Sequence, residues 1–163
     1  MMAGPRIYPE TSFWRRLVDD GDFERRRLTY RFLRAIEGRA RLLGSSLILA
    51  ELGRGLSGDA RTAVLRRHWA ARPRIVTGVP RVHRISLELL MAGGRGIRAL
   101  ADMLQVGYSI VGGADFLVSW DRADLARDRT RKVVRDYGQR TGTKVPRIGT
   151  PEEVARWLGL RIR

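Results

Sequence analysis

Cysteine is absent from this 163-residue chain, which excludes a disulfide framework and any thiolate metal site. Lysine is nearly absent, with Lys132 and Lys144 the only two. Histidine is limited to His68 and His83, each inside a helical pattern whose neighbours offer no catalytic pairing. No apolar run approaches a membrane span, and the stretch from Met1 to Glu10 lacks the apolar core of a signal peptide. The expectation is a cytoplasmic protein of one domain over residues 1–163 with no membrane partner. Any metal it holds must be held by oxygen ligands.

What the chain has in excess is arginine. Lys+Arg number 32 against 17 Asp+Glu, a net charge of +15. Guanidinium stays charged at any relevant pH and grips phosphate in a two-pronged fashion, so a polyanionic partner, RNA or DNA, is the first expectation. A compositional bias would also raise arginine everywhere, and the charge by itself does not decide between the two.

The apolar pattern alternates short strand-like runs with helical ones, which predicts a parallel sheet covered by helices on both faces. Residues 22–40 read as an amphipathic helix carrying Phe23, Leu28, Phe32, Leu33 and Ile36. That apolar side is rich for one core, and a homodimer is an expectation. A helix is expected to begin near Ala50-Glu51-Leu52, with Ser45 or Ser46 as cap and Glu51 in its first turn. Further helices are expected from Gly58 to Ala71, from near Pro80, from Ile97 to Val111, and over most of Arg122 to Gly142. Short strands are expected at Arg74-Ile75-Val76 and Pro146-Arg147-Ile148-Gly149. Thr150-Pro151-Glu152-Glu153 reads as a helix start. Gly93-Gly94-Arg95-Gly96 lacks the flanking strand and Lys-Ser/Thr of a phosphate cradle and reads as a loop.

Against this background four acids stand out. Glu10 follows the apolar run Arg6-Ile7-Tyr8, and Asp121 follows Phe116-Leu117-Val118-Ser119-Trp120, so both are strand-end carboxylates. Glu51 and Asp102 fall on helices. Open parallel sheets bind ligands beyond the carboxyl ends of their strands, and clustered carboxylates repel unless a cation holds them. For an oxygen-only set that cation is Mg²⁺ or Mn²⁺. Each acid also has an ordinary reading, for example an ion pair of Arg98 with Asp102 or of Glu51 with Arg54. Asp124 and Asp128 read as solvent-facing or capping residues.

Ile7-Tyr8-Pro9-Glu10-Thr11-Ser12, Leu47-Ile48-Leu49-Ala50-Glu51-Leu52, Asp102 in Arg98-Ala99-Leu100-Ala101-Asp102-Met103-Leu104, and Gly113-Ala114-Asp115-Phe116-Leu117-Val118-Ser119-Trp120-Asp121 together resemble the four ordered motifs of PIN domains. The likeness is nearest to the bacterial toxins of the virulence-associated protein C type. Glu10 stands where that family usually has Asp, and Met-Leu-Gln-Val-Gly follows Asp102 where Leu-His-Ile-Ala is familiar. The resemblance implies a PIN-like three-layer α/β/α fold with a central, mainly parallel sheet. It also implies a Mg²⁺- or Mn²⁺-dependent endoribonuclease that a cognate antitoxin neutralises. On that reading Glu10, Asp102 and Asp121 are the metal ligands, and Glu51 is a further ligand or orients the attacking water. Ser12 bonds metal water or phosphate. Arg122, Arg129, Arg131 and Arg135, close behind the fourth acid, contact the RNA backbone. The alternative is a PIN-fold module that binds nucleic acid without cutting it. Trp14 and Trp120 flank the strand-end acids, as core or as base-stacking surfaces.

Overall fold

The computed structural model describes residues 4–162. Among them five strands form one sheet in the order β3-β2-β1-β4-β5, every neighbouring pair parallel. The strands are β1 (Arg6–Pro9), β2 (Arg41–Gly44), β3 (Arg74–Ile75), β4 (Phe116–Val118) and β5 (Arg147–Gly149). Eight α-helices among the described residues flank them in an α/β/α arrangement: α1 (Thr11–Arg16), α2 (Phe23–Ile36), α3 (Ser46–Gly55), α4 (Gly58–Ala70), α5 (Val79–Ala92), α6 (Leu100–Val111), α7 (Asp128–Thr141) and α8 (Pro151–Trp157). None of them is long and apolar enough to cross a membrane.

The strand order explains where a site can form. From β1 the chain steps outward through β2 to β3, then returns to place β4 on the other side of β1, with Ile7, Tyr8 and Pro9 opposite Phe116, Leu117 and Val118. The crevice at such a reversal lies beyond the carboxyl ends of the two central strands. Glu10 and Asp121 follow those two strands.

Both faces of a parallel sheet are covered, so its strands read as apolar runs. Ile7, Tyr8, Leu117 and Val118 are fully buried. Phe13, Trp14, Phe32 and Leu52 complete a continuous core with them, each such side chain contributing about 2 to 3 kcal/mol of transfer free energy. Trp14 donates from Nε1 to the Pro9 carbonyl at 2.9 Å, and Trp120 donates to Thr29 Oγ1 at 2.8 Å. Both indoles are therefore core residues with satisfied N–H groups, and neither offers a face to a base.

The apolar side of α2 is consumed inside the chain. Leu28, Phe32 and Ile36 are buried and Leu33 is half-buried, while Phe23 is left exposed. The helix stops at Ile36, and the ladder of strand β2 follows at Arg41. In α3 the boundary differs from the sequence reading. Ser45 is extended and its Oγ accepts the Ile48 N–H at 3.2 Å, so the helix opens at Ser46 and Glu51 falls in its second turn. Residues 97–111 divide into a 3₁₀ turn, Ile97–Ala99, and α6. Helix α7 starts at Asp128 because residues 122–127 are turns. The start of α8 follows the sequence: Thr150 and Glu153 form a reciprocal capping box with Pro151 inside it.

Helices α5 and α6 pack closely where Gly107 of α6 offers no side chain. A Cβ on Gly107 would come within 2.3 Å of Ser86 Oγ and 3.0 Å of the Val82 carbonyl.

Candidate active site

Glu10 leaves β1 and immediately caps α1. Its carboxylate accepts the Ser12 N–H at 2.9 Å and a short hydrogen bond from the Ser12 hydroxyl. The same hydroxyl accepts the Trp120 N–H at 2.9 Å, so Ser12 ties the turn after β1 to the chain leaving β4. Glu10 is 4% exposed. Burial pushes its carboxyl up to about 7, against the hydrogen bonds from Ser12 and with a further rise from the charge of Glu51.

Glu51 is held by two donors. Thr11 Oγ1 gives its Oε2 a short hydrogen bond, and Gln105 Nε2 donates to the same oxygen at 2.7 Å. Gln105, on α6, is 2% exposed and spends its whole amide here. Its Nε2 also reaches Thr11 Oγ1 at 3.0 Å, and its Oε1 accepts the Tyr8 hydroxyl at 2.7 Å. Tyr8 in turn meets Ser45 Oγ at 2.7 Å. Burial raises the Tyr8 phenol well above its usual range and keeps it a hydrogen-bond donor. The network links β1, α1, α3 and α6 around one carboxylate. The signal in the sequence was a lone glutamine among the apolar residues of α6.

Asp102 lies in the first turn of α6. Asp121 accepts the N–H groups of Ala123 and Asp124 at 3.1 and 2.9 Å, which folds the chain into a tight turn and brings Asp124 back beside it. One carboxylate oxygen from each of Asp102, Asp121 and Asp124 lies within 4.8 Å of the others. At that spacing each pair of like charges costs about 3 kcal/mol at an effective dielectric of 20. Burial, then the charges of Asp121 and Asp124, raise the Asp102 carboxyl to about 6. Arg95 relieves part of the repulsion: its guanidinium pairs with Asp124 and lies 3.9 Å from Asp102. Two of three negative charges remain uncompensated, a match for a divalent ion.

The structure thus gathers the strand-end and helix acids at one end of the sheet. Glu51 adds to the field at both Glu10 and Asp102. The tight cluster consists of Asp102 and Asp121 with Asp124, and the carboxylate of Glu10 is turned into its helix cap. Asp124, read from sequence as facing solvent, is half-buried and turned toward Asp121. The all-carboxylate oxygen set suits a hard cation such as Mg²⁺ or Mn²⁺.

A cleft of about 490 Å³ opens beside Asp102 and Asp124, walled by the Gly94–Ala99 segment and Arg129. Arg129 donates to the Gly93 carbonyl at 2.7 Å and so braces that segment. Arg122 and Arg131 pair with Glu152 and Glu153 of α8 at 3.3 and 2.7 Å, on a second depression they share with Arg156. Arg135 stays exposed on α7.

The sequence matches no protein-family model and no curated protein. Solved structures do resemble the fold. A VapBC2 complex from Rickettsia felis, bound to a DNA fragment from its promoter, aligns with a TM-score of 0.56 at 18% identity over 72% of this chain and 89% of the other. VapC20 from Mycobacterium tuberculosis, a toxin that cleaves the sarcin-ricin loop, aligns with a TM-score of 0.54 at 20% identity over 72% of this chain and 91% of its own. The strand order, the reversal beside β1 and the acids beyond it therefore stand on a PIN-like α/β/α fold, the fold of the VapC toxins.

Proposed function

We propose that the chain is a Mg²⁺- or Mn²⁺-dependent endoribonuclease, the toxin of a toxin–antitoxin pair. The observation that carries the reading is the Asp102–Asp121–Asp124 cluster at the sheet reversal of a fold shared with a toxin described as cutting RNA. A divalent ion held by these three residues would neutralise a phosphodiester and acidify water there.

The chain's own residues supply the rest. Glu51, fixed by Thr11 and Gln105, is an acceptor that can orient a water for in-line attack on phosphorus. Glu10 titrates near neutral, so it can take a proton and return it at physiological pH. Its carboxylate is held in the cap of α1 by Ser12, whose hydroxyl is also tied to the chain leaving β4. Arg129, Arg122, Arg131 and Arg135 flank the acids on the chain that follows Asp121 and give the RNA backbone its cationic contacts. The ion pairs of Arg122 and Arg131 with Glu152 and Glu153 exchange for phosphate when RNA arrives. Apolar side chains left exposed at Phe23, Leu87, Met91 and Ile97 are the surface available to an antitoxin or a second copy of the chain.

The second reading, a PIN-fold module that binds nucleic acid without cutting it, draws on one observation: Arg95 already partly neutralises the cluster. Purified protein with labelled single-stranded RNA, with Mn²⁺ and then with EDTA, separates the two. Metal-dependent cleavage that Asp121→Asn removes supports the enzyme, and binding with no cleavage supports the module.

A further inference from the structure

Arginine opens four of the five strands: Arg6 in β1, Arg41 in β2, Arg74 in β3 and Arg147 in β5. In a parallel sheet all strand starts share one edge, so the acids occupy one end of the molecule and these arginines the other. At the arginine end lies a cleft of about 1100 Å³, between the second half of α2, the end of α4 and the starts of β1 to β3. Its rim carries Arg6, Arg34, Arg41, Arg67, Arg72 and Arg74, against Glu37 as the acid among the lining residues.

Three features characterise this rim. None of its six arginines pairs with a carboxylate among the described residues, a state they share with most arginines of the chain, but here six of them line one cleft. Guanidinium groups gathered with so little counter-charge repel one another, a repulsion that a bound anion relieves. Arg67 lies over the Tyr30 ring at 4.7 Å, an aromatic surface already paired with a cation. Arg72 has φ 51°, and it is the non-glycine residue in the left-handed region among the described residues. That conformation is strained for a residue with a side chain, and strain of this kind gathers at ligand clamps.

We propose that this cleft binds the phosphodiester backbone of a single-stranded nucleic acid, at a site separate from the acid cluster. The cleft, about 1100 Å³, is open and lies at the upper edge of the ~300 to 1,000 Å³ of small-molecule sites, so it is the row of guanidinium groups along it that points to a polymer. Leu33 and Leu42 are half-buried lining residues and Ile36 and Leu43 are buried, so the floor is partly apolar, and it is the charge of the six-arginine rim that points to a polyanionic backbone. What the cleft presents is a guanidinium rim, the kind of surface that tracks a phosphate backbone. The site does not depend on the cleavage reading, because a chain with no nuclease activity would still bind here.

The test is fluorescence anisotropy of a short labelled single-stranded RNA on the full chain in EDTA, between about 50 and 200 mM salt. The combined variant Arg34→Ser, Arg41→Ser, Arg72→Gly should lose at least about tenfold in affinity and about 2 in the log–log salt slope. A control with the same charge removed elsewhere, Arg54→Ser, Arg81→Ser, Arg84→Ser, should keep the slope. Arg72→Gly alone should raise the melting temperature, since glycine accepts the left-handed backbone, while weakening RNA binding. Equal slopes for variant and control, or a stabilised Arg72→Gly that binds RNA as before, would overturn the proposal. So would poly-glutamate displacing the RNA at equal charge, which would assign the cleft to an acidic protein. Cleavage in Mn²⁺, measured on the same variants at saturating RNA, reports the acid cluster separately.

Discussion

Arg95 reaches from the Gly93–Gly96 loop into the acidic cluster, where its guanidinium pairs with Asp124 and lies 3.9 Å from Asp102. The side chain is mostly buried, and its Nη1 has no hydrogen-bond partner. It occupies ground that a divalent ion also needs. Arg95→Met should therefore tighten Mn²⁺ binding about fivefold, roughly 1 kcal/mol, by calorimetry on the purified protein. Weaker binding in that variant would mean that Arg95 holds the carboxylates in place for the ion.

Asp102→Asn, Asp121→Asn and Asp124→Asn should each lower RNA cleavage at least about a hundredfold, the scale on which losing one charge-stabilising group is felt. Asp102→Asn and Asp121→Asn each remove one like charge from the cluster, so their melting temperatures without metal should hold or rise, whereas Asp124→Asn also takes the ion-pair partner from the mostly buried Arg95 and should not stabilise. A variant at Asp124 that cleaves normally would restrict the ion to the other two acids.

The pH dependence of Glu10 has a definite sign. Its carboxyl is raised from 4.5 to about 7 in the folded chain, so the stability it contributes is present below 4.5 and lost as pH rises through about 7. Without metal the protein should become less stable from pH 5 to pH 7.5, and Glu10→Gln should flatten that slope in urea unfolding. The cleavage rate should carry an inflection near 7 that the Gln variant lacks. Glu10→Asp retains a residue well suited to an N-cap but shortens its reach. A drop in activity with unchanged stability would show that the longer side chain is used.

Gln105→Leu should destabilise the chain by about 1 to 3 kcal/mol, because Tyr8, Thr11 and Glu51 lose a buried partner. In the same variant the cleavage rate should fall with little change in RNA affinity, since no backbone-binding arginine is touched. Loss of affinity with an unchanged rate would contradict the role given to Glu51.

The sheet and the strand-end acids were legible because a buried parallel strand is a short apolar run, and the residue after it is placed at a known end. Glu10 and Asp121 needed nothing more. Asp124 was not legible: its approach depends on a turn that Asp121 makes with its own side chain, and an Asp three residues on reads equally well as surface. Arg95 comes from a glycine loop whose path no periodicity encodes. The arginines after Asp121 were visible as charge, but their pairing with Glu152 and Glu153 arises from α8 packing some 20 to 30 residues later. Helix α3 began early because Ser45, one of two adjacent serines, took the capping role.

The missing side chain at Gly107 has a genetic consequence. Because Ser86 and Val82 of α5 press directly on the backbone of α6 there, α6 cannot slide without α5, and the positions of Asp102 and Gln105 are inherited from a helix that carries none of the chemistry. In a selection for inactive alleles, enlarged residues at Val82, Ser86 or Gly107 should be recovered alongside losses of the carboxylates. Those alleles should be suppressible by smaller residues across the same contact, whereas the carboxylate alleles should have no such suppressors.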